Sequence, residues 1–322
     1  MRIFEHQGKD LYKKECPESR DFKTFWTPAF ARVTTKVDFQ RSPSLDPKKI
    51  DGRRKGEKMG ERLLIERTDR ICTISINRPE KRNALSPLVF TELIDLLQRL
   101  RDEDEVRCVI LRGCGEKAFS SGFDIADLPV DASPEIAEAA KGDTPLDNGM
   151  KAILDFPYPV IAMINGLAYG AGCELAVTCD IRIAADDVRF SMPPAKLGIV
   201  YRWRGILKFI DVVGPANARE MFFTGRAYGA AQAREMGLVH YVLPRGELTP
   251  FVYRMAQDIS ENAPLSLKAT KTIFNRFLHD ERLGPQDVQE IERLRYEAFR
   301  SEDLKEGQRA FGEKRKPVFH GR

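Results

Sequence analysis

The sequence predicts an α/β fold built from recurring strand, strand and helix units, followed by a mostly helical C-terminal part. Short apolar runs of strand length alternate with longer runs of helical periodicity from Leu63 onward. These groups return roughly every 45 residues without sequence identity, which is typical of a layered coil of ββα turns. After about residue 202 the pattern becomes almost entirely helical.

The predicted elements follow one another along the chain. The first strands are expected in "LLIERTD" and "ICTISIN". A helix is then expected to begin at Ser86 and Pro87, residues that suit the N-cap and the first helical position. Next come strand "VRCVILRG", the glycine-bearing stretch "AFSSGFDIADL", a polar loop near 129–147, helix "GMKAILDF", strand "PVIAMIN", a helix entered through glycines, and short strands around "IRIAA" and "VRFSM". The last part contains helical segments in "GILKFIDVVG", "ANAREMFFTG" and "AAQAREMG", then amphipathic segments to Lys316.

The first 58 residues differ from the rest in pattern and charge. They contain 15 lysine and arginine residues against nine acidic ones, whereas the remainder contains 37 against 39. We therefore predict a poorly ordered extension over 1–58, and one hypothesis is that translation naturally starts at Met59. The remainder is predicted to divide into an α/β core over 59–255 and a helical region over 256–322.

Composition narrows the class of protein. At 42% hydrophobic and 31% charged, the sequence is typical of a soluble globular protein. No apolar run approaches the roughly 18 to 20 residues of a membrane span, so we expect a cytoplasmic protein with no membrane partner. The near-neutral body argues against a nucleic-acid partner. The six cysteines include no CxxC pair, so we predict buried thiols. The sequence also lacks the GxSxG motif of a nucleophile elbow, which argues against a serine hydrolase.

The stretch "NGLAYGAGCELA", residues 165–176, places three glycines at the start of an apolar helix that carries one carboxylate. The first amides of a helix are unpaired, and glycines let a ligand approach them closely. The Ala171 amide could therefore hold an oxygen atom while Glu174, one turn along, acts on the neighbouring group. The alternative is that a nearby arginine satisfies Glu174 and the glycines serve only close packing.

A second glycine-bearing stretch, "KAFSSGFDIADL", predicts another amide donor. Gly122 permits unusual backbone angles, and the Phe123 amide after it could converge with the Ala171 amide into an oxyanion hole. Upstream, "GCGEKA" matches a dinucleotide-binding pattern, but no long helix follows it, which disfavours that interpretation.

Three runs together carry a family resemblance: "INRPEKRNALS", "KAFSSGFDIADL" and "PVIAMINGLAYGAGCELAVTCDIRIAA". Over about residues 62–318 the chain resembles the crotonase superfamily, also called the enoyl-CoA hydratase/isomerase family. The resemblance implies a spiral of ββα units, a helical trimerisation region over 256–322, and homotrimers or dimers of trimers. It also implies an acyl-CoA thioester substrate, no separate cofactor and no metal.

The resemblance further implies roles for individual residues. The backbone amides of Phe123 and Ala171 would form the oxyanion hole, and Glu174 would lie beside the acyl carbon. The residues implied to bind CoA are Lys81, Arg82, Ala84, Ser121 and Asp124. For the two basic residues, the alternative is a solvated pair in a turn.

One position departs from the hydratase pattern of the family. Those hydratases use a second glutamate, about twenty residues after the first, and the matching position here is Pro194. Within the superfamily, "FSSGFDIADLP", "FSMPPAKLGIVY" and "SEDLKEGQRAFGEKRKPVF" look most like the methylmalonyl-CoA decarboxylase branch, although that branch has histidine in place of Phe123. This likeness implies that Tyr201 helps to orient a substrate carboxylate.

The sequence therefore predicts decarboxylation of methylmalonyl-CoA or a related thioester. The residues expected to form an apolar acyl pocket are Met192, Pro193, Pro194 and Ile199. One alternative is an enoyl-CoA hydratase or isomerase that works with Glu174 alone. A separate alternative interpretation is that Pro194 reflects sequence drift in a strand-end loop and that Tyr201 serves only packing. Another is a non-catalytic homologue that binds acyl-CoA or RNA.

Overall fold

The computed structural model describes residues 62–127, 144–279 and 300–315, together with Gln289, Arg293 and Pro317. The predicted extension over 1–58, the hypothesis about Met59 and most of the predicted loop near 129–147 lie outside these residues. Within them, the strands are β1 Leu63–Thr68, β2 Ile71–Ile76, β3 Cys108–Gly113, β4 Ala118–Ser120, β5 Val160–Ile164, β6 Leu167–Tyr169, β7 Ile181–Ala185, β8 Arg189–Ser191, β9 Ala227–Gly229 and β10 Tyr241–Leu243.

The strands form two sheets that confirm the predicted recurrence. One sheet has six strands in the order β1-β2-β3-β5-β7-β10, and the other has four in the order β4-β6-β8-β9. Three consecutive strand pairs divide between the sheets in the same way. The first strand of each pair lies in the large sheet and the second in the small sheet, as seen for β3-β4, β5-β6 and β7-β8. Apart from the antiparallel edge pairs β1-β2 and β8-β9, neighbouring strands are parallel. Successive turns of the chain therefore stack in layers.

Helices connect and cover the sheets. The described helices of more than one turn are α1 Pro87–Glu103, α2 Pro145–Asp155, α3 Ala171–Thr178, α4 Trp203–Thr224, α5 Ala230–Glu235, α6 Arg245–Glu261, α7 Pro264–His279 and α8 Glu302–Gly312. The predicted start of α1 is confirmed, since the Ser86 hydroxyl accepts a hydrogen bond from the Val89 amide and Pro87 is the first helical residue. In these described residues, no helix is both long and apolar enough to cross a membrane.

Three features differ from the sequence-based expectation. Helix α2 begins at Pro145, four residues before the predicted "GMKAILDF", because Thr144 and Asp147 form a capping box. The two helices expected after Tyr201 form one element, α4, with a kink at Gly214. The region after residue 202 also contains β9 and β10, each only three residues long and too short to give a recognisable period.

The core lies between the sheets and the helices that cover them. All residues of β2 and β5 are buried, as expected for strands covered on both faces. Among the described cysteines, Cys72, Cys108, Cys173 and Cys179 are buried free thiols and Cys114 is half-buried. This confirms the predicted buried thiols for those four positions.

The C-terminal helices are attached to the core by specific contacts. The Lys271 ammonium of α7 donates to the carbonyls of Ile153 and Tyr158 and to the Asp180 carboxylate. Helix α8 packs against the 3-10 turn Pro194–Leu197. The backbone of α8 therefore adjoins the segment in which the sequence predicts an acyl pocket.

Candidate active site

Two glycine-bearing loops lie side by side at the ends of β4 and β6. These strands are parallel neighbours, so the loops that follow them leave the same edge of the small sheet. Gly122 has a φ of 102°, and a Cβ placed on it would lie 2.8 Å from the Tyr169 carbonyl oxygen and 3.5 Å from the Ala171 amide nitrogen. A larger residue at position 122 would be strained and crowded. The fold therefore brings the two predicted amide donors together.

The amides of Phe123 and Ala171 are not used by the backbone around them. A parallel bridge joins Leu85 to Phe123, in which the Leu85 amide donates to the Gly122 carbonyl and the Asp124 amide donates to the Leu85 carbonyl. This pattern leaves out the Phe123 amide, and Ala171 is the first residue of α3, whose amide has no intrahelical acceptor. In the described part of the chain, neither amide donates a hydrogen bond. Both can point at a ligand oxygen.

The glycines of "NGLAYGAGCELA" serve two purposes. A Cβ on Gly166 would lie 2.4 Å from the Ala118 nitrogen, and one on Gly172 would lie 2.5 Å from the Ser120 carbonyl oxygen. These two glycines therefore serve close packing, which agrees with the alternative interpretation of the glycines from the sequence. Gly170 has a φ of 51° and only the Gly122 Cα at 4.0 Å from a Cβ, so it serves the turn that presents the Ala171 amide.

Glu174 is buried and paired. Its side chain is 1% exposed. The Arg202 guanidinium donates to its Oε1 at 2.6 Å and its Oε2 at 2.7 Å, and the Tyr201 hydroxyl donates to Oε2 at 2.5 Å. The idea that a nearby arginine satisfies this carboxylate is therefore confirmed. It is compatible with a catalytic role, since the same contacts fix the orientation of the carboxylate.

Further charges surround this group. The other arm of Arg202 forms a close ion pair with Asp147 of α2. Burial raises the pKa of Glu174 to about 7, against the opposing effects of the Tyr201 hydrogen bond and the positive charge of Lys208. Burial likewise lowers the pKa of Lys208 to about 8, opposed chiefly by the negative charge of Glu174. A carboxyl group of this kind can exchange a proton near neutral pH.

The predicted apolar wall lies between β8 and Tyr201. Met192 and Pro194 are buried, whereas Pro193 and Ile199 are half-buried. Pro194 begins the 3-10 turn and has no titratable group, so no carboxylate stands at this position. The ring of Tyr201 packs against Phe222, with ring centroids 5.5 Å apart. This aromatic contact helps to hold the Tyr201 ring in place.

The segment predicted to bind CoA is ordered by an ion-pair cluster. The Asp124 carboxylate accepts from Arg78 at 2.9 Å and from Lys81 at 3.0 Å, and Arg78 also donates to the Ala84 carbonyl at 2.7 Å. These bonds tie the start of the "EKRNAL" stretch to the loop after Gly122. Asp124 therefore holds the two segments together through its ion pairs with Arg78 and Lys81.

Arg82 and Ser121 lie at the surface beside this cluster. The Ser121 amide donates to the Arg82 carbonyl at 2.9 Å, and its hydroxyl donates to the Lys81 carbonyl at 3.2 Å. Arg82 has a positive φ of 51° and is exposed. The five residues are brought together in space, and their contact with CoA stays a prediction.

Sequence reasoning missed the residues that partner the site: Arg78, Asp147, Arg202 and Lys208. A buried carboxylate requires a nearby cation or a bound proton. That requirement was the only indication in the sequence that Glu174 has a partner such as Arg202. Asp147 fell inside a predicted loop, so nothing marked it.

Comparisons with known proteins identify the family of the chain. Residues 66–322 match the model of the enoyl-CoA hydratase/isomerase family. The chain therefore belongs to this family, the crotonase superfamily, whose members process acyl-CoA thioesters. A carnitinyl-CoA dehydratase of Escherichia coli strain K12 is 35% identical over 272 residues, covering 82% of this chain and all of the relative.

Solved structures show the same fold. Methylmalonyl-CoA decarboxylase complexed with 2S-carboxypropyl CoA is 32% identical, with a TM-score of 0.76 over 82% of this chain and 100% of that one. An enoyl-CoA hydratase from Bacillus anthracis is also 32% identical, with a TM-score of 0.63 over 81% of this chain and 100% of that one. The predicted crotonase-like spiral is therefore confirmed.

Proposed function

We propose that this enzyme decarboxylates a malonyl-type acyl-CoA thioester, methylmalonyl-CoA or a relative. The observation that carries the proposal is the state of Glu174: both of its oxygens are engaged by Arg202, one also by Tyr201, and Pro194 takes the place of a second carboxylate. Such a site suits a reaction that needs charge stabilisation more than it needs two acid-base groups. The likeness to methylmalonyl-CoA decarboxylase supports the same class.

The oxyanion hole is the central device in this reaction. The amides of Phe123 and Ala171 would donate to the thioester oxygen. The bond between the α-carbon and the substrate carboxylate breaks, its electron pair forms the enolate, and CO₂ leaves. The α-carbon then takes up one proton. Each amide donor can stabilise the developing negative charge by about 3 to 4 kcal/mol.

The charge distribution also suits an anionic acyl group. Two like charges about 4 Å apart repel by roughly 4 kcal/mol at an effective dielectric constant near 20, so a second glutamate would oppose a substrate carboxylate. Pro194 removes that repulsion, and Arg202 offsets the charge of Glu174. An apolar surface at Met192 and Pro194 would favour CO₂ and the diffuse transition state over the compact carboxylate.

A mass-spectrometric reaction screen tests the proposal. Purified protein is mixed separately with methylmalonyl-, ethylmalonyl-, malonyl- and crotonyl-CoA. We expect a loss of about 44 mass units from a malonyl-type thioester, since decarboxylation removes CO₂ and leaves the enolate to be protonated. Tyr201→Phe should slow this reaction, whereas Tyr241→Phe, a matched change on β10 in the large sheet, should not. No loss of CO₂ from any malonyl-type thioester would overturn the proposal.

A second candidate is hydration or dehydration with Glu174 alone. The pKa of about 7 at Glu174 favours it, since a carboxyl poised near neutrality can both give and accept a proton. The carnitinyl-CoA dehydratase relative supports this candidate as well. A gain of about 18 mass units on crotonyl-CoA, abolished by Glu174→Ala and without CO₂ release from other substrates, would select it.

The helical C-terminal region also supports a homotrimer or a dimer of trimers. Helix α7 exposes large apolar side chains at Leu265, Ile273 and Phe274, with 78%, 54% and 62% of their surfaces exposed. Such side chains are typical of an interface. Light scattering should give a multiple of three chains, reduced by Phe274→Lys but not by Leu88→Lys on α1. A monomeric wild-type protein would contradict this assembly.

A further inference from the structure

Arg202 bridges two carboxylates that come from two different helices. Its Nη2 contacts both oxygens of Glu174 in α3, and its Nη1 pairs closely with Asp147 Oδ1 in α2. The side chain of Arg202 is 7% exposed, that of Asp147 10% and that of Glu174 1%. The three groups form a buried chain of charges across the ends of three elements.

The planar geometry of the Arg202 guanidinium couples its two ion pairs. The group is planar and its donors are fixed relative to one another, so anchoring one arm also fixes the other arm. Asp147 supplies that anchor, and Asp147 is itself held by Thr144, whose amide donates to Oδ2 at 3.0 Å and whose hydroxyl donates at 2.5 Å. A continuous set of bonds therefore runs from the first turn of α2 to Glu174.

We propose that Asp147 and Arg202 are positioning residues that hold the Glu174 carboxylate in one orientation and oppose the effect of burial on its charge. This inference rests on the proposed function in taking Glu174 to face the acyl group. Asp147 acts only through Arg202, and neither residue needs to touch the substrate. The role is therefore separate from that of the oxyanion hole.

Several charged and titratable groups around Glu174 can affect its titration, and a test must distinguish the effect of Arg202 from theirs. Tyr201 and Arg202 approach it from just before α4, Lys208 lies within α4, and Asp147 of α2 pairs with Arg202. Strand β4 brings no titratable residue, and β6 carries Tyr169. Among the described residues, Arg202 alone contacts both Glu174 oxygens, so a change of its charge should dominate the titration of Glu174.

The first test measures the ionisation of Glu174 directly, by infrared difference spectra of each protein minus its Glu174→Gln counterpart across pH. An opposite charge at this distance typically lowers a carboxyl pKa by about 1 to 3 units. Arg202→Met should therefore raise the titration midpoint by that amount, whereas Arg202→Lys should move it much less. An unchanged midpoint in Arg202→Met would overturn the inference. If that variant fails to fold, Arg202→Gln replaces it in the same comparison.

The second test separates positioning from the stability of helix α2. A small misplacement of a catalytic group can lower the rate about 10²-fold, so Asp147→Asn should lower kcat by roughly 10- to 100-fold with little change in KM. Lys151→Ala breaks a surface ion pair with Asp155 in the same helix and leaves Arg202 and its partners unchanged, so it serves as the matched control. If Lys151→Ala lowers kcat as much as Asp147→Asn, the effect reflects the stability of α2 and the inference fails.

A double-mutant comparison completes the design. If Asp147 acts through Arg202, Asp147→Asn should lower kcat in the wild-type background and have little further effect on Arg202→Lys. Equal effects in both backgrounds would contradict the inference. The activity assay uses whichever acyl-CoA the wild-type enzyme converts, and the infrared titration needs no turnover. Failure of the decarboxylase proposal would therefore leave this test intact.

Discussion

Gly122 and Ala171 come from separate loops, yet a Cβ on Gly122 would lie only 3.5 Å from the Ala171 amide nitrogen. The close approach depends on the positive φ of Gly122, 102°, and on its missing side chain. Within the described residues, the Phe123 and Ala171 amides donate no hydrogen bond, and Ala171 lies one helical turn before the buried Glu174. The relationship leads to a direct test of the oxyanion hole.

Gly122→Ala should abolish most of the activity. The new methyl group would lie 2.8 Å from the Tyr169 carbonyl oxygen, so the loop carrying the Phe123 amide must shift. Loss of one oxyanion donor typically lowers kcat by about 10²- to 10³-fold. Steady-state kinetics should show this loss in kcat, with a smaller change in KM.

The matched control for that change is Gly229→Ala. Gly229 has an ordinary φ of −73°, and nothing lies within 4 Å of its Cβ position. This variant should retain wild-type kcat and stability. Wild-type kcat in Gly122→Ala would show that the loop after β4 does not supply a catalytic donor.

Glu174 should make the protein less stable as pH rises through the acidic range. Its pKa is about 7 in the folded protein against an ordinary 4.5, because burial disfavours the charged form. Between about pH 4.5 and 7 the folded state therefore binds more protons at this site than the unfolded chain does. The free energy of unfolding contributed by Glu174 should fall by about 3 kcal/mol across this window.

Urea unfolding of wild type and Glu174→Gln at matched pH and concentration measures this contribution. The stability of wild type relative to Glu174→Gln should decrease from pH 4.5 to pH 7 and then level off. The opposite trend would mean that Arg202 and Tyr201 outweigh burial and hold the pKa of Glu174 below its ordinary value.

Much of the fold could be predicted from sequence because its signals are local. The Ser86 cap, the apolar strands and the strand-strand-helix recurrence all depend on residues close in the chain. Strands β9 and β10 gave no such signal, since three residues show no period and each is defined by its partner in the sheet.

The site was predictable only in part for the same reason. Glycine spacing identified the loops at Gly122 and Ala171, and an isolated carboxylate in an apolar helix identified Glu174. The charges that partner Glu174 lie far away in sequence, with Asp147 and Arg202 on either side of it. Nothing in either local pattern indicates that α2 and the start of α4 meet at α3.

Removal of Lys271 should destabilise the attachment of α7. The side chain is 6% exposed and bonds two carbonyls and the Asp180 carboxylate, all of which would lose their donor in Lys271→Ala. Breaking a buried ion pair typically costs about 3 to 5 kcal/mol. We expect a loss near the lower value, because the Asp180 side chain is 29% exposed and water can partly replace the lysine.

Lys268→Ala on the same helix is the control for that measurement. Lys268 pairs with Asp104 at the surface, where an ion pair contributes about 0 to 1 kcal/mol. Chemical unfolding of the two variants should therefore differ by at least about 2 kcal/mol. Equal losses would mean that α7 is held by its apolar contacts alone.

Gly307 should be intolerant of any side chain, with consequences for the acyl pocket. A Cβ on this residue of α8 would lie 2.5 Å from the Leu197 carbonyl oxygen and 2.7 Å from its carbonyl carbon. Backbone cannot move aside as a flexible side chain can, so Gly307→Ala must push α8 away from the turn Pro194–Leu197. Overpacking of this kind typically costs about 1 to 3 kcal/mol.

Gly312→Ala in the same helix separates this effect from general changes in helix stability. Nothing lies within 4 Å of a Cβ on Gly312, and alanine favours a helix, so this variant should be as stable as wild type or slightly more so. Kinetics with malonyl-, methylmalonyl- and ethylmalonyl-CoA should show a changed preference for acyl size in Gly307→Ala but not in Gly312→Ala. An unchanged preference in a destabilised Gly307→Ala would mean that the turn beneath α8 does not shape the acyl pocket.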